Sequence, residues 1–206
     1  QNHGNLGNQY PKYKYGVEGD TPAFLHIMPN GLNNPVEPTQ ASWGGYSKWG
    51  KGEDNNGYSY VNYNGNEYDI CNKYENYFYP ATFNNFSARM DWAKDGKGNI
   101  NPIIKIDGDT SLNIITKKAK QGTTISIDAS ASSDPDGDTL NYKWWIQPEA
   151  GTYNGTINIL NSNTSKVIIN IPSNSAGKNF HIICEVTDDG SPQLTSYRRI
   201  IVETTK

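Results

Sequence analysis

Two stretches decide the fold: Leu140-Asn-Tyr-Lys-Trp-Trp-Ile146 and Phe180-His-Ile-Ile-Cys-Glu-Val186. In the first, Leu140, Tyr142, Trp144 and Ile146 recur at every second position; in the second, Phe180, Ile182, Cys184 and Val186 do. A period of two puts such side chains on one face of a strand. Around them lie Thr123-Thr-Ile-Ser-Ile-Asp128, with Ile125 and Ile127 on one face, and Val167-Ile-Ile-Asn-Ile171, stopped by Pro172. Ile103-Ile-Lys-Ile106 reads as a short first strand or the lead-in to one, and Ser196-Tyr-Arg-Arg-Ile-Ile-Val-Glu203 closes the chain. Turn chemistry separates these runs, at Ser132-Ser-Asp-Pro-Asp-Gly-Asp138 and at Asp188-Asp-Gly-Ser-Pro192. About seven short strands punctuated in this way predict an all-β, immunoglobulin-like sandwich over residues 101–206. Trp144 is then a core residue with Cys184 placed to face it, although the partner cysteine of an antibody-type bridge is absent.

The first hundred residues have a different grammar. They hold 11 of the 14 tyrosines and 13 of the 20 glycines. The change falls near Asp95-Gly-Lys-Gly-Asn-Ile-Asn-Pro102, a stretch typical of a domain edge. Pro22-Ala-Phe-Leu-His-Ile-Met28 is a compact apolar run, either a buried strand or a short helix, and Asn30-Gly-Leu-Asn-Asn-Pro35 is a turn. Residues 41–50 form a loop rich in glycine and aromatics, and residues 51–76 are polar and read as loop. The best helix is Pro80 to Ala93, with Thr82 as a cap and Phe83, Phe86, Met90 and Ala93 at helical spacing. One helix and long loops do not make a self-sufficient core, so residues 1–100 are expected to be the end of a larger domain.

Composition narrows the function. A net charge of −3 argues against nucleic acid, whose phosphates need clustered Lys and Arg. No apolar stretch is long enough for a membrane span. Cys71 and Cys184 lie in different halves and read as free thiols, with a bridge between them as the alternative. His3, His26 and His181 have no partner at metal spacing, and His26, within an apolar run, reads as packed.

Asp134, Asp136 and Asp138 offer alternating carboxylates, with Asp188 and Asp189 in a later turn; they suit calcium or a solvated Asp-Pro turn. Trp43, Tyr46 and Trp49 in a glycine-rich loop suit stacking on sugar rings, or packing between loops. Trp145, on the face opposite Trp144, reads as a cover against the first half or as a sugar platform. Asp20 directly precedes the apolar run, where a carboxylate caps a helix or ligates a metal.

Several stretches in order resemble one family. They are Tyr10-Pro-Lys-Tyr13, Glu18-Gly-Asp-Thr-Pro-Ala-Phe-Leu25, Pro29-Asn-Gly-Leu32, Trp43-Gly-Gly-Tyr46 and Phe86-Ser-Ala-Arg-Met-Asp-Trp92, then Ser133-Asp-Pro-Asp-Gly-Asp138, Tyr142-Lys-Trp-Trp145, Pro148-Glu-Ala-Gly-Thr-Tyr153, Val186-Thr-Asp-Asp-Gly-Ser-Pro192 and Tyr197-Arg-Arg199. Together they resemble the C-terminal portion of secreted nucleoside-hydrolase-like proteins described as cellulose-binding. The resemblance implies an α/β fragment, the end of a nucleoside-hydrolase-like domain over residues 1–100, followed by the immunoglobulin-like sandwich over 101–206. It implies a secreted or periplasmic protein with a carbohydrate partner. In nucleoside hydrolases an Asp-rich cluster after an early strand holds calcium, and a late Asp before an apolar segment completes the shell. Asp20 matches that late position. The cluster has no counterpart here, so no catalytic residue is assigned. Metal-assisted glycoside hydrolysis would then need the N-terminal domain portion, in the same polypeptide or as a separate chain. Asn30, Trp43 and Trp49 would line the sugar site, with Asp134, Asp136 and Asp138 as weaker metal candidates. The rival expectation is a non-catalytic glycan-binding protein of cellulose type.

Overall fold

The computed structural model describes residues 21–34, 36–37, 39–51, 57–62 and 65–206. A short helix α1 (Thr21–Ile27) leads into an antiparallel pair, β1 (Lys48–Lys51) and β2 (Tyr58–Val61), and then into the long helix α2 (Gly65–Asp95). Seven strands follow: β3 (Ile115–Lys120), β4 (Thr124–Asp128), β5 (Asn141–Gly151), β6 (Asn158–Leu160), β7 (Lys166–Asn170), β8 (Asn179–Thr187) and β9 (Thr195–Thr205). They form a four-stranded sheet in the order β3-β9-β8-β5 and a three-stranded sheet in the order β4-β7-β6. All pairings are antiparallel except that of β3 with β9, which is parallel.

The two sheets close on one core. The larger contributes Trp144, Phe180, Ile182, Cys184, Val186, Ile200 and Val202; the smaller contributes Ile127, Val167 and Ile169. Of these, Ile127, Trp144, Phe180, Ile182, Cys184 and Val186 are the residues whose alternation placed them on one face, so the pattern set the inner face of those strands. Cys184 does not face Trp144 across the core: the two are direct register partners on β8 and β5 of one sheet. Both cysteines are free and buried. The run Ile103–Ile106 is not a strand; it makes only isolated bridges, Ile103 with Ser133 and Ile106 with Asp109. The first strand is β3 instead, whose sequence Ile-Thr-Lys-Lys-Ala-Lys hides its period among lysines.

The outer face of the large sheet is covered as well, by α2. Strand β8 is buried on both faces, so His181, Ile183 and Glu185 are as enclosed as the core residues between them. Trp145 turns to this side. It stacks against Tyr74 and lies against Tyr77 and Phe78 of α2, and its Nε1 donates to Glu185 Oε1 at 2.9 Å. The packing reading of Trp145 therefore holds.

Helix α2 is the largest departure from expectation. It starts fifteen residues before Pro80 and runs through it, so residues 65–76 of the polar stretch read as loop are helix. Pro80 lacks the N–H that would bond back to the preceding turn, a local cost carried by packing on either side. Thr82 is no cap; its hydroxyl donates back to Phe78 O at 3.1 Å within the helix. The buried stripe is Cys71, Tyr74, Phe78, Asn85 and Ala88, whereas Phe83, Phe86 and Met90 are exposed. The apolar spacing was real but marked the opposite face.

Candidate functional site

The segment between α1 and β1 is fastened to strand β9 by backbone and by one buried cation. Asn30 Oδ1 accepts from Leu32 N and Asn33 N, both at 3.0 Å, which closes the turn. Gly31 takes φ of +80° and its carbonyl accepts from Arg199 N at 2.9 Å. The Arg199 side chain is fully buried and has no carboxylate partner among the described residues. It donates to Leu32 O at 2.7 Å, to Ala41 O at 2.9 Å and to Gln147 Oε1, and it meets His181 Nδ1 at 3.2 Å. Burial lowers its pKa to about 9, which still leaves the guanidinium charged at neutral pH. Carbonyl dipoles from both ends of the 32–41 segment thus solvate the charge and fix that segment on the sheet.

This anchoring builds a cavity of about 260 Å³ between the Met28–Asn30 turn, Trp43, Asn85 and Arg89 of α2, residues 101–112, and the start of β9. One wall is a polar chain: Arg89 Nε donates to Asn85 Oδ1 (2.9 Å), Asn85 Nδ2 to Asn101 Oδ1 (3.0 Å), and Asn101 Nδ2 to Thr195 O (3.3 Å). Trp43 is only 5 % exposed and packs edge-on against Tyr197. Asn30 and Trp43, both expected at a sugar site, therefore share one cavity.

Trp49 does not line it. It lies on β1, directly opposite Tyr60 and beside Tyr58 on β2. The three rings sit on one face of the pair and are 55 %, 50 % and 62 % exposed respectively. Trp49 stacks near-parallel on Tyr58 (centroids 6.3 Å apart) and edge-on to Tyr60 (5.0 Å). Tyr58 and Tyr60 were not singled out in the sequence, because the Tyr-Ser-Tyr alternation sat inside a stretch read as loop. Tyr46 is half-buried beside the second apolar cluster.

The predicted metal residues fall apart. Asp20 lies outside the described residues. Asp134, Asp136 and Asp138 do converge, with one ligand oxygen each within 4.8 Å of the others. Asp134 Oδ1 is spent on Asp136 N and Asp138 N, but its Oδ2 is buried without a partner. Burial and the neighbouring carboxylates of Asp134, Asp189, Asp188 and Asp136 raise the Asp138 pKa. Asp188 is structural, accepting from Gly190 N, Leu194 N and Asn99 Nδ2. None of these carboxylates lines the cavity. His26 is packed as expected, with Nδ1 at 2.7 Å from Ser42 Oγ.

Two family models match the chain. The C-terminal domain of cellulose-binding protein Sde0182 matches residues 124–204, and the nucleoside hydrolase-like domain of cellulose-binding Sde182 matches residues 1–46. Among solved structures, a nucleoside hydrolase-related hypothetical protein from Saccharophagus degradans, described as associated with carbohydrate metabolism, is 38% identical with a TM-score of 0.81. The match covers 99% of this chain and 52% of that one, so the chain spans about half the length of this relative. The PKD domain from the KIAA 1837 protein reaches 18% identity and a TM-score of 0.33, over 45% of this chain and 83% of its own, a score too low to support any argument. No curated protein matches the chain. Among the described residues no helix is long and apolar enough to cross a membrane.

Proposed function

Because the chain belongs to the family of cellulose-binding proteins with a nucleoside hydrolase-like domain, we propose that it is a carbohydrate-binding part of such a protein and grips polysaccharide through the aromatic face of the β1–β2 pair. The observation that carries this reading is the exposure of Trp49, Tyr58 and Tyr60 on one face of a two-stranded ribbon. Large rings left in water cost hydrophobic free energy unless a ligand covers them. Flat rings match the C–H faces of pyranose units, and the Tyr hydroxyls bond sugar oxygens at the edge. Replacing Trp49 and Tyr60 together by alanine is expected to cut retention on insoluble cellulose at least tenfold and to leave the thermal midpoint nearly unchanged, since neither ring is in the core. Chelator should not alter retention. Full retention by the double variant would refute the platform.

The seven-strand sandwich with its parallel β3–β9 edge is in keeping with an immunoglobulin-like module over residues 101–206, and we read residues 1–100 as the end of the nucleoside hydrolase-like domain. The groove between α1 and α2, lined by Phe24, Tyr79, Phe83 and Phe86, supports packing of the rest of that domain here. The half of the Saccharophagus relative that this chain does not span is the candidate occupant. Glycosidic cleavage is not assigned to the described residues: no carboxylate lines the polar cavity, and the acidic turn belongs to the sandwich. A secreted or periplasmic setting fits a polymer substrate.

The acidic turn is proposed to hold calcium in a structural role. Its residues fit a hard cation: three carboxylates converge, one oxygen is buried and unpartnered, and like charges crowd Asp138. Adding calcium is expected to raise the midpoint of thermal unfolding by several degrees, reversed by chelator and absent in Asp136→Asn. Identical melts with and without calcium would exclude the site.

A further inference from the structure

The polar cavity carries a second inference. Two buried donors on its lining residues have no partner among the described residues, Asn30 Nδ2 and Arg198 Nε, and Trp43 Nε1 has only the neighbouring Tyr197 side chain. Buried donors cost free energy when unpaired, so such donors around one cavity mark a place where acceptors belong. The Asn30 amide cannot simply flip, because its oxygen already closes the turn through Leu32 N and Asn33 N. Arg198 is 1 % exposed, and its two terminal nitrogens are committed to Asp109 and Asn113 O, which leaves Nε.

The charge balance points the same way. Arg89 and Arg198 line the cavity and no Asp or Glu does; Arg198 is ion-paired with Asp109 behind the wall, so Arg89 carries the uncompensated charge. Arg89 is exposed at the rim and is aimed by its bond to Asn85. The hydroxyls of Thr110, Thr195 and Ser196 also line the cavity and suit the hydroxyls of a sugar, whereas Arg89 and the unpaired donors call for an acceptor. A carboxylate only accepts and is anionic, which matches donors and charge together. The remaining wall is apolar, with Pro102, Ile103 and Leu112, and suits the carbon face of a ring. At about 260 Å³ the space is just below the usual range for small-molecule sites, about 300–1,000 Å³, and takes a single unit rather than a polymer run.

We infer that this cavity binds one carboxylate-bearing sugar unit, a uronic acid, separately from the aromatic ribbon. The sugar half of the assignment rests on the carbohydrate-binding reading above; the carboxylate half rests on the cavity alone. Titration calorimetry of the 206-residue chain with glucuronate, glucose, acetate and inorganic phosphate tests it. Glucuronate should bind saturably, with glucose at least tenfold weaker and acetate and phosphate weaker still. Arg89→Gln, at the exposed rim, should weaken glucuronate at least fivefold without altering the melt, and Trp43→Phe, which removes the indole donor from a buried site, should weaken it at least fivefold while the melt stays cooperative at a lower midpoint. Equal affinity for glucose and glucuronate, or indifference to both variants, overturns the inference. Acetate or phosphate binding as tightly as glucuronate overturns the sugar half. Retention on cellulose with no glucuronate binding sinks this inference and spares the aromatic platform, whereas loss of both sinks the two together.

Discussion

Gly31→Ala is expected to destabilise the fold by at least about 3 kcal/mol, read as a lower urea midpoint by circular dichroism. Two separate costs add. Gly31 sits at φ of +80°, a left-handed conformation that a Cβ disfavours. An added Cβ would also overlap the carbonyl oxygen of Tyr197, which is backbone and has no rotamer to move away. Relief requires the turn to leave β9, and with it goes the bond from Arg199 N to Gly31 O. The buried arginine would then lose part of the carbonyl shell that solvates it. Because Asn30 and Trp43 ride on the same anchored segment, the variant should also lose ligands of the polar cavity. A stability loss under about 1 kcal/mol, the range of ordinary surface changes, would show that the turn is not held against β9 as described.

The second large effect is a pH dependence centred on His181. This residue is buried against Arg199, and burial first, then the Arg199 charge, lowers its pKa to about 4. An unfolded histidine titrates near 6.5. The folded state therefore prefers the neutral ring, so its contribution is complete above pH 6.5 and is lost as pH falls from there towards 4. At pH 4.5 the loss should be about 2.5 kcal/mol relative to pH 7.5. Glu185, Asp138 and Asp188 work with the opposite sign, since burial raises each pKa and folding then favours their protonated forms. Comparison with His181→Gln isolates the histidine: the variant should lack this slope between pH 7 and 4.5. Parallel stability profiles for the two proteins would mean that His181 is protonated, or displaced, in the native state.

The legible parts of the sequence were those where one physical signal dominated. Alternation in β5 and β8 set the inner face of the sandwich because a period of two leaves no choice of face once one side is apolar. The outer face of β8 was not legible: His181 and Glu185 look solvent-facing until Arg199 closes on the first and Tyr77 of α2 on the second, and the signal for α2 was itself weak. Its buried stripe mixes Cys71, Tyr74 and Asn85, which carry little apolar signal, while the stronger spacing of Phe83, Phe86 and Met90 marks an exposed face. Pro80 made the helix look as though it began there, although packing on the sheet carries it through. Asn30 and Trp43 are expected at a sugar site from the resemblance, and in the structure they line one cavity. Trp49 lies away from that cavity, in the company of Tyr58 and Tyr60, which join it only through strand register. The unpaired donors and the role of Arg199 depend on contacts across more than 150 positions and leave no local trace.

The central claim, that the aromatic ribbon takes carbohydrate, is tested most directly by iodide quenching of tryptophan fluorescence. Trp92 is the other strongly exposed indole, so Trp92→Phe leaves Trp49 as the main quenchable ring. In that background, soluble cello-oligosaccharide is predicted to protect the fluorescence from iodide, saturably, and Trp49→Phe should abolish the protection. Quenching that is unchanged at saturating oligosaccharide would contradict the account.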